Sequence, residues 1–573
     1  MNLLSIQTLW HEHTVGMLFA CILIVMIPFL IFYLKESKNH PKGLIAAALS
    51  NMGERFGYYI MNAAMTLFIC SKFGLDDKVA GTIYAVFLFL IYVLSLPGGV
   101  IADKLQNYKG TIIAGLIVMA TGYALISIPT TVNENNATML LIFICAALVI
   151  IAFGNGLFKG NLQALVGQLY DNFEAEAAKQ GPEALAKAKS KREPGFQIFY
   201  VFINIGGVIA PFVVPAFRNW ILGMKDMVYN SQLPKLCHQF IDNAGSMTPE
   251  QMDNLNELMA ANNHQFAAGT DMLTACSNYL DVFNTGIHYS FIASICAMLI
   301  SLTIFICTKK KMPNPTKKVK AEAAAVTYTA EERAAMAKDI KQRMMGLYAV
   351  LGICVFFWMA FHQNAESLSF FARDFVNTDT IAPEIMQCVN PGLVILLTPV
   401  LMILFASSWG KKISTPRKIA LGMGIAGCAY LFLMIFSFAK GYPSGADFVK
   451  LPVAESAAMK GDVWVMLVTY FFLTVAELFI SPLGLSFVSK IAPKHIQGIC
   501  QGLWLSATAV GNLLILLGPI FYNKLPKLWM CWLVFLAVCA VAMFVMLGMV
   551  KWLERITSEE AQKEIAQKEA AQN

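Results

Sequence analysis

A short list of titratable side chains interrupts apolar segments long enough to cross a membrane: Glu54 and Arg55, Lys159, His362 and Glu366, and Glu477. A charge at the centre of a spanning helix costs roughly 2.5–3.5 kcal/mol on insertion scales, so such residues face a bundle interior or a water-filled cavity. In "NMGERFGYY", residues 51–59, two opposite charges sit beside two tyrosines. Asn51, Arg55, Tyr59 and Asn62 recur at i, i+4, i+8 and i+11, with Glu54, Tyr58 and Asn62 in the adjoining row, so this helix has a polar face. Asn155 and Lys159 share a face beside several glycines that permit close backbone approach. Taken singly, the charges could glue helices together, Arg55 pairing with Glu54 or Glu477. Taken together, cations in the first half and a carboxylate in the second suit a cargo that carries both charges. That predicts a solute transporter.

The elements that must position these groups follow from composition. The chain has 573 residues, 57% of them hydrophobic and 14% charged, with a mean hydropathy of +0.59. So little charge cannot cover a soluble surface of this size, and repeated apolar runs of helical length predict an all-α polytopic membrane protein. Thirteen spans are expected, at about 17–34, 44–70, 79–102, 110–129, 138–166, 196–217, 286–307, 345–371, 386–407, 418–439, 463–488, 497–521 and 527–551. The net charge of +7 is not a nucleic-acid signal, because its lysines and arginines cluster in alternate loops. Lys35 to Lys42, Lys104 with Lys109, Lys179 to Arg192, Lys309 to Lys320, Lys411 to Lys418, Lys490 with Lys494, and Lys551 fall on one side, expected to be cytoplasmic. "TTVNENNAT", on the other side, carries none.

One span precedes a core of twelve. No Lys or Arg comes before it and no A-x-A-like site follows, so residues 1–42 are expected to hold an uncleaved helix and linker. The extreme N-terminus is placed outside, and the helix is given a packing or targeting role. The core divides into a first six-helix bundle at 43–308, a cytoplasmic linker at 309–343, a second bundle at 344–551 and a cytoplasmic tail at 552–573, as in transporters built from duplicated bundles. Thr329 and Glu332 form a capping box within the linker. Glu559 with Lys563 and Glu564 with Lys568 are spaced i,i+4 for a solvated tail helix. Residues 171–195 make a cytoplasmic insertion, and residues 218–285 a long extracytoplasmic one.

Thirteen cysteines show no paired CxxC spacing and mostly lie in apolar spans, so no metal site and no cofactor is expected. Cys237 and Cys276 are the two cysteines of the extracytoplasmic insertion and are expected to form a disulfide there. No HExxH, GxSxG or GxGD occurs on a span, which argues against an intramembrane enzyme. A channel or receptor is disfavoured by charges divided between two halves.

Several segments resemble the proton-dependent oligopeptide transporter (POT) family of the major facilitator superfamily, in its bacterial type. "NMGERFGYY" is similar to that family's ExxERFxYY, and "FYVFINIG", residues 199–206, to its FYxxINxG. "GGVIADKLQNYKG", "FGNGLFKGN", "FFWMAFHQ", "QCVNPG", "AELFISPLG" and "QGLWLSATAVGN" resemble further core segments, so the likeness runs over residues 41–551. The first span and the 218–285 insertion fall outside it. The resemblance implies a major facilitator fold that moves di- and tripeptides with protons by alternating access, in a lipid bilayer, with a monomeric transport unit. By motif match, Arg55 and Lys159 would hold the peptide carboxylate, with Tyr58, Tyr59 and Tyr92 lining the pocket. Glu477, Asn204 and Asn390 would hold the amino terminus, and Trp504 and Phe357 would supply apolar walls.

The departures concern the proton. The first glutamate of ExxER is Asn51 here, and the glutamate usual on the seventh core helix is His362. Glu54, His362 and Glu366 are the candidates for coupling. The reading is therefore peptide transport with altered or weakened proton dependence, against a facilitative or nitrate-like anion carrier of the same fold. The expected location is the cell (inner) membrane, with both core termini cytoplasmic.

Overall fold

Backbone polar groups in hydrocarbon have no water to bond, so each apolar run satisfies them internally as a helix. The computed structural model describes residues 26–557 apart from 76, 134, 231–232, 261, 263–270, 314–329, 366, 378–387, 449–454, 456–457 and 494–495. Among the described residues, eleven helices are long and apolar enough to cross a membrane. A twelfth, α1 (Leu44–Phe73), carries the polar face that lowers its hydropathy. The others are α2 (Val79–Leu105), α3 (Tyr108–Ser127), α4 (Ala137–Ala178), α5 (Arg192–Ile209), α6 (Met272–Thr308), α7 (Ala330–Phe361), α8 (Val389–Ala406), α9 (Thr415–Ala439), α10 (Trp464–Ile491), α11 (Gln497–Leu514) and α12 (Leu528–Thr557). Of the first expected span, residues 26–36 are described and are helical; the rest lies outside the described residues.

α1 packs on α5 and α6, and α3 on α4 and α6; in the second half, α9 packs on α10 and α12, and α7 on α11 and α12. The two halves meet where α2 and α4 pack on α11, and where α5 packs on α8 and α10. Ile142, Ile403 and Phe544 stand exposed on the outer faces, as lipid-facing side chains do.

The bundles close on one another at the end rich in Lys and Arg. The Asp103 carboxylate, at the foot of α2, accepts from the backbone N–H groups of Gly498 (3.1 Å) and Ile499 (2.7 Å). Those groups have no intrahelical partner at the start of α11, so an anion there satisfies them and meets the positive helix end. Glu193 of α5 accepts from Lys418 (2.8 Å) on α9 and Lys490 (3.0 Å) on α10. Gly99 allows the close approach: a Cβ there would lie 2.3 Å from the Gly498 carbonyl oxygen.

Three helix limits differ from expectation. α4 runs on to Ala178 and a further helix covers Pro182–Ser190, so the 171–195 insertion is largely helical. Beyond α5, helix resumes over Val213–Gly223, and α6 begins at Met272, with Asp271 capping it through Thr274 N (2.9 Å). The 218–285 insertion is therefore short between its flanking helices, with its own helices at Leu233–Asn243 and Pro249–Ala260. Hydropathy shows where a helix leaves lipid, not where it stops being a helix. The insertion is seated on α1 by His238, whose Nε2 bonds the Ser71 carbonyl at 2.7 Å. Cys237, in the Leu233–Asn243 helix, meets Cys276 near the start of α6, both buried and both free thiols, in side-chain hydrogen-bond contact. The linker helix starts at Ala330; Thr329, its expected cap, and the tail pairs at 559–568 lie outside the described residues.

Candidate functional site

In the first half of α1, Glu54 and Arg55 are buried together. Arg55 donates to both carboxylate oxygens, from Nη2 (2.5 Å) and Nε (2.6 Å), and Asn155 of α4 adds a further donor to Glu54. Of the two glue pairings open in the sequence, the structure has Arg55 with Glu54. The guanidinium lies 4.3 Å above the Tyr58 ring, and Tyr58 stands edge-on to Tyr59. A cation against a ring face gains from the ring quadrupole, which partly replaces lost hydration.

Lys159, one turn beyond Asn155 on α4, is also buried, with its ammonium 4.1 Å over the Tyr92 ring of α2. Among the described residues it has no carboxylate within ion-pair distance. His362, just past the end of α7, lies within electrostatic reach of Lys159. Its ring stacks on Trp358 (5.2 Å between centroids) and meets the edge of Phe361 (5.3 Å), and its Nε2 has no hydrogen-bond partner among the described residues. Phe357 is fully enclosed, stacked on Phe361. Glu366 lies outside the described residues.

In the second bundle, Glu477 is buried on α10. Tyr200 of α5 donates to one of its oxygens, and Asn390 Nδ2 of α8 to the other (2.8 Å) while also reaching Thr474 Oγ1 at 3.1 Å. Among the described residues no cation stands within ion-pair distance of it. Asn204, expected beside it, instead bonds the carbonyl of Tyr200 at 3.1 Å on its own helix. Trp504 of α11 packs where a Cβ on Gly484 would collide with it. Tyr59 stands between the halves, in electrostatic reach of Glu54, Arg55 and Glu477. Cys237 and Cys276 sit apart from all of these, in the insertion.

Two partners were not singled out as site residues: Tyr200 and Asn155. Tyr200 lies four residues before Asn204 inside "FYVFINIG", so the i,i+4 spacing was the available signal. What this arrangement can do is hold charge. Among the described residues, a buried cation without a counter-ion lies on one bundle, a buried anion without one on the other, and an internally neutral Glu54–Arg55 pair lies beside the first.

A family model described as the POT family matches residues 109–344 and 316–530. A protein of Proteus mirabilis (strain HI4320) named dipeptide and tripeptide permease A is 26% identical over 490 residues, covering 83% of this chain and 85% of that protein. The protein of the same name from Salmonella typhimurium is 25% identical over 490 residues, covering 83% of each. Among solved structures, a peptide transporter POT in complex with sulfate is 20% identical with a TM-score of 0.54, over 90% of this chain and 96% of that one. A POT family transporter in complex with 5-aminolevulinic acid is 18% identical with a TM-score of 0.54, over 91% and 99%. The fold is thus that of the major facilitator transporters, and the chain, a multi-pass membrane protein, belongs to the POT family of peptide transporters.

Proposed function

We propose that this protein carries di- and tripeptides across the cell (inner) membrane by alternating access, binding the cargo's carboxylate in the first bundle and its ammonium in the second. One observation carries the reading: Lys159 and Glu477 are buried, opposite in charge, on different bundles, and each lacks an ionic partner among the described residues. A buried unpaired charge is strongly unfavourable, so a zwitterion that pairs both at once is held by the two bundles together. Arg55 joins Lys159 at the carboxylate when Glu54 takes up a proton and releases it. Tyr58, Tyr59 and Tyr92 line the cavity, Asn390 and Tyr200 orient Glu477, and Trp504 and Phe357 are apolar wall.

The proton enters through Glu54. His362 cannot supply the negative partner that a carboxylate would give Lys159. Coupling is accordingly altered or weak. The basic end is cytoplasmic by the positive-inside rule, with the extreme N-terminus outside, and one chain is the transport unit. The test is uptake of a labelled dipeptide and of nitrate into proteoliposomes, each with and without an inward proton gradient. Saturable dipeptide uptake without nitrate uptake is expected; nitrate uptake alone overturns the reading.

A further inference from the structure

The helix at 26–36, which precedes the twelve-helix core, has one buried residue, Tyr33. Its neighbours Ile27, Leu30, Ile31 and Leu34 are exposed and lipid-facing. The Tyr33 hydroxyl donates to the carbonyl oxygen of Ile395 in α8 at 2.8 Å. That carbonyl is not an ordinary one. It lies four residues before Pro399, inside the same helix, and proline has no N–H to give it. In hydrocarbon such an orphaned acceptor must find another donor, and here the phenol of the N-terminal helix is that donor.

The other end of the same segment is held by the first bundle. Glu36 accepts from Lys191, just ahead of α5, at 3.0 Å. The His40 ring bonds the Tyr170 hydroxyl of α4 at 2.7 Å. Burial, with Lys191 close by, lowers the His40 pKa to about 4, so the imidazole is neutral in this contact. The chain then turns at Gly43 (φ +120°), packed 3.1 Å from the Lys311 carbonyl where a Cβ would stand, and enters α1. The segment is helix up to Glu36 and a tight turn over Ser37–Asn39, so it has little slack.

We propose that this helix is a strap across the bundle interface, seated on α8 through Tyr33 and on the α4–α5 side through Glu36 and His40, which favours the arrangement closed at the basic end. Rocking α4 and α5 away from the second bundle must unseat one anchor or unwind the turn between them. A hydrophobic helix that merely packed would need no hydroxyl at the proline-freed carbonyl and no ion pair behind it.

The experiment follows amide hydrogen exchange in the full chain in lipid nanodiscs, read at Gly498 and Ile499, whose N–H groups are bonded to Asp103 while the basic end is closed. Tyr33→Phe is expected to speed exchange there by roughly threefold to thirtyfold, the range of a hydrogen bond within a membrane. Cutting the other end by Glu36→Gln and His40→Phe together is expected to do the same, and adding Tyr33→Phe to that pair to do no more than either cut, since a strap cut once is free. In a Pro399→Ala background the Tyr33→Phe effect should shrink, because Ile395 regains an intrahelical donor. Exchange that changes only around 26–36 and 395–399, or effects of the two cuts that add, overturns the strap.

Discussion

Tyr200 on α5 donates its hydroxyl to Glu477 on α10, a bond that joins the two bundles at a carboxylate with no cation beside it among the described residues. Because Asn390 occupies the other oxygen, Glu477 is already oriented before any ligand arrives. Glu477→Gln keeps the shape and removes the charge. Dipeptide affinity is expected to fall at least about thirtyfold, since truncating one partner of a buried charge pair costs roughly 2–5 kcal/mol. Tyr200→Phe should weaken binding far less. Calorimetric titration with a dipeptide checks both, and unchanged affinity in Glu477→Gln rejects its role as the ammonium site.

Energy coupling separates Glu54 from His362. If Glu54 releases Arg55 on protonation, Glu54→Gln leaves Arg55 permanently free of its bidentate partner and removes the response to a proton gradient. In proteoliposomes the wild-type chain is expected to accumulate dipeptide only modestly under an inward proton gradient. Counterflow exchange without a gradient should persist in both Glu54→Gln and His362→Ala. Strong uphill accumulation that survives His362→Ala and vanishes in Glu54→Gln would reject weak coupling and leave Glu54 as a sufficient proton site.

The contact between Cys237 and Cys276 sits in an insertion proposed to face the oxidising side. The structure holds the two as thiols in contact; once oxidised, in protein purified without reductant, mass spectrometry should find them in one linked peptide pair. Reduction should then lower the melting temperature, as loss of a bridge worth about 2–5 kcal/mol does. Recovery of both thiols alkylated under non-reducing conditions excludes the bridge.

Closure at the basic end depends on a backbone contact that only glycine allows. Adding a methyl at Gly99 places it 2.3 Å from the Gly498 carbonyl oxygen. Overpacking of this kind costs about 1–3 kcal/mol, and here the cost falls on the closed arrangement alone. Gly99→Ala should therefore remain folded by circular dichroism while uptake falls roughly five- to hundredfold. Full uptake would mean that this closure is not on the transport cycle.

Helix number, the two-bundle division and the depth of the charges are local consequences of chain chemistry. A run of apolar residues has one way to satisfy its backbone in lipid, and a polar residue within it must turn inward. Glu54, Arg55, Lys159 and Glu477 were therefore legible from residue type and position. Which of them pair was not. Neighbours in sequence, Glu54 and Arg55 could have pointed to different partners; it is the placement of Asn155 on α4, and the absence of an acid at 362, that leaves Lys159 as the cation without a partner among the described residues. Tyr200 meets Glu477 across 277 residues of sequence, and Tyr33 meets Ile395 across 362. Periodicity reports a helix's own face and carries no term for what packs against it, so such pairs are decided only when the helices are brought together. The same holds for the N-terminal helix: its hydropathy marks it as an expected span, but the carbonyl freed by Pro399, to which Tyr33 donates, belongs to another helix altogether.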